Sequence, residues 1–229
     1  GRAPAAQAQL SLLAAMDLDP EGNPRTTPAQ EPVRTAPHIA LSRAFLNDAE
    51  CAYLIGAGQP WLRPSVVVDP ASGRMIPHPV RRSHGMMFGV HDEDVVVNAI
   101  NRRIAALSGT RFAQGEPLQL LRYGPGEEYR PHFDTLPNEE NQRIVTVILY
   151  LSDGYDGGEP RFSRLDLPVR GAKGDALIFH NVDAAGRPDP LTLHAGMPVR
   201  QGTKIICTRW IRKRRFTYPP PRPLLPDWR

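Results

Sequence analysis

LQLLRYGPGEEYRPHFD, residues 118–134, is the stretch on which the reading of this chain turns. An apolar, strand-like run (Leu118–Tyr123) passes through a Gly/Pro turn into a second extended piece that ends on His132-Phe133-Asp134. Side chains two apart on a strand point to the same face, so an H-x-D pair presents an imidazole and a carboxylate to one ion. With a second imidazole supplied from elsewhere, two nitrogens and one oxygen fill half of an octahedron. The remaining positions stay open, the facial arrangement suited to ferrous iron and oxygen chemistry.

His194 is the candidate for that second imidazole. It sits in Leu191–Val199 (LTLHAGMPV), and Lys204 follows in Gly202–Ile211 (GTKIICTRWI). A hairpin across Pro198–Gly202 would have its midpoint at Val199. His194 and Lys204 are then expected directly opposite each other, projecting to one face. A buried ammonium group beside a metal site needs an anion, because an unpaired buried charge is too costly to keep. A dicarboxylate that chelates the metal at one end and meets Lys204 at the other satisfies that need.

With H-x-D, a distal His and a Lys ten residues after it, the chain resembles the 2-oxoglutarate/Fe(II) dioxygenases, specifically their prolyl 4-hydroxylase branch. Further matching stretches are Gly124–Tyr129, Arg143–Ser152 (RIVTVILYLS), Asp156–Glu159 (DGGE), Gly174–Phe179 (GDALIF) and Asp189–Gly196 (DPLTLHAG). The resemblance runs over roughly residues 38–213; a lone H-x-D would be weak, but the ordered set is specific. It implies Fe(II), 2-oxoglutarate and O2 as cofactors, with ascorbate as a candidate reductant. The implied reaction is hydroxylation of an unactivated C–H, first of all in a prolyl residue of a peptide or protein, with release of succinate and CO2. By the same resemblance Tyr123 would hydrogen-bond 2-oxoglutarate, while Tyr129, Arg143 and Trp210 match positions that contact substrate. Arg81 and Arg82 fall in the region of a flexible lid and are expected to reach the bound molecule. One departure stands out: Pro160 follows Gly157-Gly158-Glu159 where the family has Thr, and it offers neither hydroxyl nor N–H. Thr146, Thr192 and Thr208 are the candidate replacements.

The bulk properties agree with a single core-forming domain: 229 residues, 41% hydrophobic and 23% charged. No run of eighteen apolar residues offers a membrane span, and no convincing signal peptide precedes the fold. Two cysteines, Cys51 and Cys207, suit a reducing cytoplasm better than a disulfide framework, and both read as small buried hydrophobes. From Arg209 onward seven Lys/Arg stand against one acidic residue, so the rest of the chain carries 21 basic and 23 acidic side chains. The basicity is a feature of one end, read as a solvated strand end and tail rather than a nucleic-acid surface.

Residues 1–36, rich in Ala, Pro and Gln, are expected as a mobile extension with a short helix at Gln7–Met16. A dioxygenase domain is expected over 37–216 and a Pro-rich tail over 217–229. Helices are expected at Ser42–Leu54 and His91–Ser108, the second with Val95, Val96, Ile100, Ile104 and Leu107 on one side. Asp69–Arg82 reads as a long Pro/Gly loop. From Leu118 onward many short strands follow, with Ile144–Leu151 apolar enough to be covered on both faces. The fold class is therefore α+β, mainly β: a double-stranded β-helix, or jelly roll, buttressed by N-terminal helices.

Three rival readings are weighed against this one. A non-catalytic jelly-roll binding module would have no need of the lysine. A nucleic-acid demethylase of the same superfamily would carry arginine at position 204. A hydroxylase of a free amino acid or secondary metabolite would share every residue named so far.

Overall fold

The computed structural model describes residues 2–68, 75–77 and 80–218. The chain opens with α1 (Arg2–Ala15) and the strands β1 (Glu31–Arg34) and β2 (Ile39–Ser42). Next come α2 (Asp48–Gly58), the short strands β3 (Arg63–Pro64), β4 (Val66–Val68) and β5 (Met75–Pro77), and β6 (His84–Phe88). After α3 (Val95–Ser108) the chain is almost entirely β: β7 (Leu118–Tyr123), β8 (Tyr129–His132), β9 (Arg143–Tyr150), β10 (Asp156–Gly157) and β11 (Pro160–Phe162). It continues as β12 (Leu167–Pro168), β13 (Ala176–His180), β14 (His194–Gly196), β15 (Val199–Gln201) and β16 (Lys204–Arg212).

Eight strands form a mainly antiparallel sheet in the order β1-β2-β13-β9-β16-β7-β6-β3, and β12-β11-β14-β8 form a second sheet facing it. The period of two along each strand divides the interior into two cores. Leu118 and Leu120 of β7, Val147 and Leu149 of β9, and Cys207 and Ile211 of β16 pack against Leu54 of α2 and Ile100, Ile104 and Leu107 of α3. The alternate residues Leu121, Tyr123, Ile148, Tyr150 and Ile206 face Phe162, Phe179 and Val199 between the sheets. Each fully buried aliphatic side chain contributes about 1.5–3 kcal/mol, so β9 and β16, buried on both faces, anchor the fold. The expected jelly roll with buttressing helices is the observed one.

Local chemistry sets the helix limits. Asn47 accepts from the Glu50 N–H and Glu50 accepts from the Asn47 N–H, a reciprocal cap that starts α2 at Asp48, six residues later than the expected Ser42. The residues before it, Ile39–Ser42, pair with β13 as β2. Asp94 Oδ1 accepts from the N–H groups of Val96 and Val97, which begins α3 at Val95, and Gly109 at φ 63° closes it. Val95 is accordingly exposed and drops out of the expected apolar stripe.

The segment expected as a mobile extension is packed on the domain. Met16 is buried, Leu12 and Leu13 lie against the helical core, and β1 pairs with β2 at the sheet edge. Gln9 donates to Tyr53 and Asp94. Composition hid this because few apolar groups, correctly spaced, suffice to seat one helix. The tip of the expected loop 69–82 and the Pro-rich run 219–226 lie outside the described residues, while the loop's base forms the β4–β5 pair. Among the described residues no helix is long and apolar enough to cross a membrane.

Candidate metal and cosubstrate site

His132, Asp134 and His194 converge between the two sheets, with one ligand atom from each lying within 4.8 Å of the others. His132 ends β8 and His194 begins β14, and the two residues are cross-strand neighbours in register. Their ring centroids are 4.3 Å apart. His132 Nε2 lies 3.5 Å from Asp134 Oδ1, and His194 Nε2 lies 3.7 Å from Asp134 Oδ2. Each imidazole is oriented by a main-chain carbonyl, which can only accept: His132 Nδ1 donates to Arg130 O at 2.8 Å and His194 Nδ1 to Thr192 O at 2.9 Å. Both Nε2 lone pairs are thereby left facing the carboxylate, as metal ligation requires.

Asp134 lies past the end of β8, so the strand-face argument for H-x-D does not hold as stated. What aims the carboxylate is Thr146 of β9, whose Oγ1 donates to Asp134 Oδ2 at 2.6 Å while accepting from Asn181 Nδ2 at 2.9 Å. Burial would push the Asp134 carboxyl up, but His194, His132 and the Thr146 hydrogen bond together hold it well below the usual carboxylate range. Burial pulls His194 down to about 4, against the attraction of Asp134. At neutral pH His194 is a neutral imidazole and Asp134 a carboxylate, and with the His132 Nε2 beside them the set offers three donors to a divalent cation.

Lys204 is 3% exposed in the wall of the same cavity. Its Nζ donates to Gly158 O at 2.5 Å and sits 5.2 Å from the centre of the Tyr123 ring. No carboxylate pairs with it among the described residues, and burial lowers it to about 8. Gly158 makes this approach possible: at φ 71° a Cβ there would stand 3.1 Å from Lys204 Cδ.

The expected hairpin is not formed. His194 belongs to the smaller sheet, opposite His132 and Phe162, whereas Lys204 starts β16 of the larger sheet, opposite Tyr123. The intervening β15 pairs with β10 instead. The two residues share the cavity because the sheets face each other. That arrangement places the ammonium across a gap from the metal ligands, where a chelating dicarboxylate fits better than in a cross-strand pair.

The remaining expected residues divide. Tyr123, Tyr129 and Trp210 line the cavity. Tyr129 stacks on His132 at 3.5 Å, and Tyr123, raised by burial, hydrogen-bonds Ser83. Arg81 lies over the Tyr129 ring at 5.4 Å and so borders the cavity. Arg143 does not line it: its guanidinium stacks 3.9 Å from the Trp210 ring and is held by both oxygens of Glu116 at 2.6 and 2.8 Å. Arg82 is exposed and clamps the next turn through Gly126 O and Glu128. Of the candidate hydroxyls, Thr146 serves Asp134 and Thr192 donates to Asp189 O. Thr208 alone lines the cavity with no hydrogen-bond partner among the described residues. Trp210 Nε1 is likewise buried and without a partner.

Two imidazoles and a carboxylate would also suit catalytic zinc. The buried, uncompensated ammonium across the cavity adds a requirement for an anionic cosubstrate, and with it the donor set fits Fe(II) with 2-oxoglutarate. Fold and site together define a jelly-roll oxygenase. Residues 118–212 match the family profile described as "2OG-Fe(II) oxygenase superfamily". Prolyl 4-hydroxylase 1 of Arabidopsis thaliana is 34% identical over 204 residues, 80% of this chain and 72% of that protein. Prolyl 4-hydroxylase 5 of the same plant is 34% identical over 210 residues, 81% of this chain and 72% of the relative. Among solved structures, the viral collagen prolyl hydroxylase of Paramecium Bursaria Chlorella virus-1, in its 2-oxoglutarate complex, is 29% identical. It superposes with a TM-score of 0.60 over 76% of this chain and 95% of the viral one. The chain therefore belongs to the prolyl 4-hydroxylase family of 2-oxoglutarate/Fe(II) oxygenases and is an oxidoreductase.

Proposed function

We propose that the protein hydroxylates prolyl residues within a peptide or protein, with His132, Asp134 and His194 holding Fe(II) and Lys204 holding the far carboxylate of 2-oxoglutarate. When bound, iron and 2-oxoglutarate supply the oxidation of an unactivated C–H bond by O2, with succinate and CO2 as coproducts. The chain's own residues bind and orient. Lys204, charged beside a carboxylate, fixes the cosubstrate's direction through a charge-assisted hydrogen bond. Thr146 and the two main-chain carbonyls fix the ligand atoms, and the apolar walls Leu121, Ile148 and Ile206 keep water from the reacting centre.

The observation that carries the prolyl reading is the cavity wall six residues along β16 from Lys204. Trp210 presents an indole face and an unpartnered buried N–H, with Tyr129 also lining the cavity. A proline ring packs on aromatic faces, and the N–H would meet a peptide carbonyl. The named activity of the plant relatives supports the same substrate class. The test is incubation of the purified protein with Fe(II), 2-oxoglutarate, O2 and a proline-rich peptide. Peptide gaining 16 Da in step with succinate release is expected; succinate release with unmodified prolyl peptides but an oxidised free amino acid would replace this reading.

A further inference from the structure

Asn181, the residue after β13, is 1% exposed, and a polar side chain buried that deeply is held by its hydrogen bonds. Its side chain leads to one metal ligand and its main chain to another. Asn181 Nδ2 donates to Thr146 Oγ1 at 2.9 Å, and Thr146 Oγ1 donates to Asp134 Oδ2 at 2.6 Å. On the main chain, the Asn181 N–H donates to Ile144 O at 2.8 Å and the Asp189 N–H donates to Asn181 O at 3.0 Å. Asp189 O then accepts from the Thr192 hydroxyl at 2.7 Å, and Thr192 O accepts from His194 Nδ1 at 2.9 Å.

The side-chain path can be polarised in one direction only. An ionised carboxylate only accepts, so the single proton of the Thr146 hydroxyl must point at Asp134. The other neighbour of that oxygen must then be a donor, and the Asn181 amide supplies one. An acceptor at position 181 would compete with Asp134 for the same proton. Asn181, Thr146 and Asp134 are all buried, so bulk water does not set the direction instead. We infer that Asn181 is a positioning residue for the metal site: it directs the Thr146 proton onto Asp134 Oδ2 and so presents Oδ1 to the cation. This rests on the iron site proposed above.

Asn181→Asp is the sharpest test, because it keeps the size of the side chain and the main-chain bonds while turning the donor into an acceptor. Metal-free wild type, Asn181→Asp, Thr146→Val and the double variant are titrated anaerobically with Fe(II) against a coloured chelator. On charge alone, a carboxylate added near a cation site would tighten Fe(II) binding. The expected result is the opposite, a loss of about tenfold. In the Thr146→Val background, with no proton left to direct, the same substitution should no longer weaken binding. Unchanged or tighter binding by Asn181→Asp, or an equal loss with and without the Thr146 hydroxyl, would overturn the inference and leave the iron site standing. Wild-type protein that binds no Fe(II) would remove the iron site itself. Thermal melts of the metal-free forms report whether each is folded. If Asn181→Asp shows no cooperative transition, Asn181→Leu, which removes the donor without adding charge, takes its place in the same cycle. A loss that vanishes in the Thr146→Val background is again expected, and a loss that persists there overturns the inference.

Discussion

The two faces of β16 differ in how they treat polar groups. Outward, Ile205, Cys207 and Ile211 are sealed in the helical core, and the buried Arg209 guanidinium donates to three main-chain carbonyls, those of Glu116, Asn101 and Phe112. Inward, Lys204 has a single hydrogen bond, and Thr208 and the Trp210 N–H have none among the described residues. A buried polar group left unpaired costs about 1–3 kcal/mol. One strand therefore tolerates on its cavity face a deficit that it avoids on its core face. The difference marks where ligands complete the structure. Asn101, on the buried face of α3 with its side-chain amide unpartnered, is an exception that nothing in the structure explains.

The largest effect in breaking this contrast belongs to the ligands. His132→Ala, Asp134→Ala or His194→Ala should reduce iron-dependent succinate formation to background, as should chelation of the metal. Thr146→Val keeps the shape but removes the hydroxyl that aims Asp134, and iron affinity should fall by about tenfold to a hundredfold in a metal titration. Lys204→Met should raise the KM for 2-oxoglutarate by about tenfold to a hundredfold, the worth of a charge-assisted hydrogen bond. Its thermal midpoint without cosubstrate should hold or rise, because a buried charge without a carboxylate partner is gone. By contrast Cys207→Ser, on the sealed face, should lower stability by about 1–3 kcal/mol in denaturant unfolding while leaving that KM unchanged.

A subtler separation comes from pH. Burial holds Lys204 near 8 in the cosubstrate-free protein, below its value in an unfolded chain, so its buried charge destabilises the fold at neutral pH. That penalty is relieved as pH rises from about 8 toward the ordinary lysine range. Cosubstrate binding needs the charged form and runs the other way: KM for 2-oxoglutarate should climb as pH passes about 8. Lys204→Arg, charged throughout, should abolish the climb; an identical climb in that variant would assign it to another group.

Much of this was legible in residues 118–134 and in the periods of the later strands. The ligands His132, Asp134 and His194 and the anion anchor Lys204 depend on residue type and order, which a sequence displays directly. Their mutual placement was not legible. His194 and Lys204 look like hairpin partners when only their ten-residue separation is considered, yet Pro198 and Gly202 send the chain from one sheet to the other by way of β15. Thr146 was read as a stand-in for the missing Thr at position 160, because nothing local reveals that β9 passes behind Asp134. The packing of α1 was invisible for a related reason: its contacts, such as Gln9 with Asp94, are 85 residues away in sequence.

The most direct test of the central claim is an anaerobic titration of the metal-free protein with Fe(II) and then 2-oxoglutarate, followed by the visible charge-transfer absorption of a chelated keto acid. The wild-type protein should bind one iron and develop the band, Lys204→Met should require about tenfold to a hundredfold more 2-oxoglutarate for the same band, and His194→Ala should show none. A full band in His194→Ala, or an unchanged 2-oxoglutarate requirement in Lys204→Met, would contradict the account.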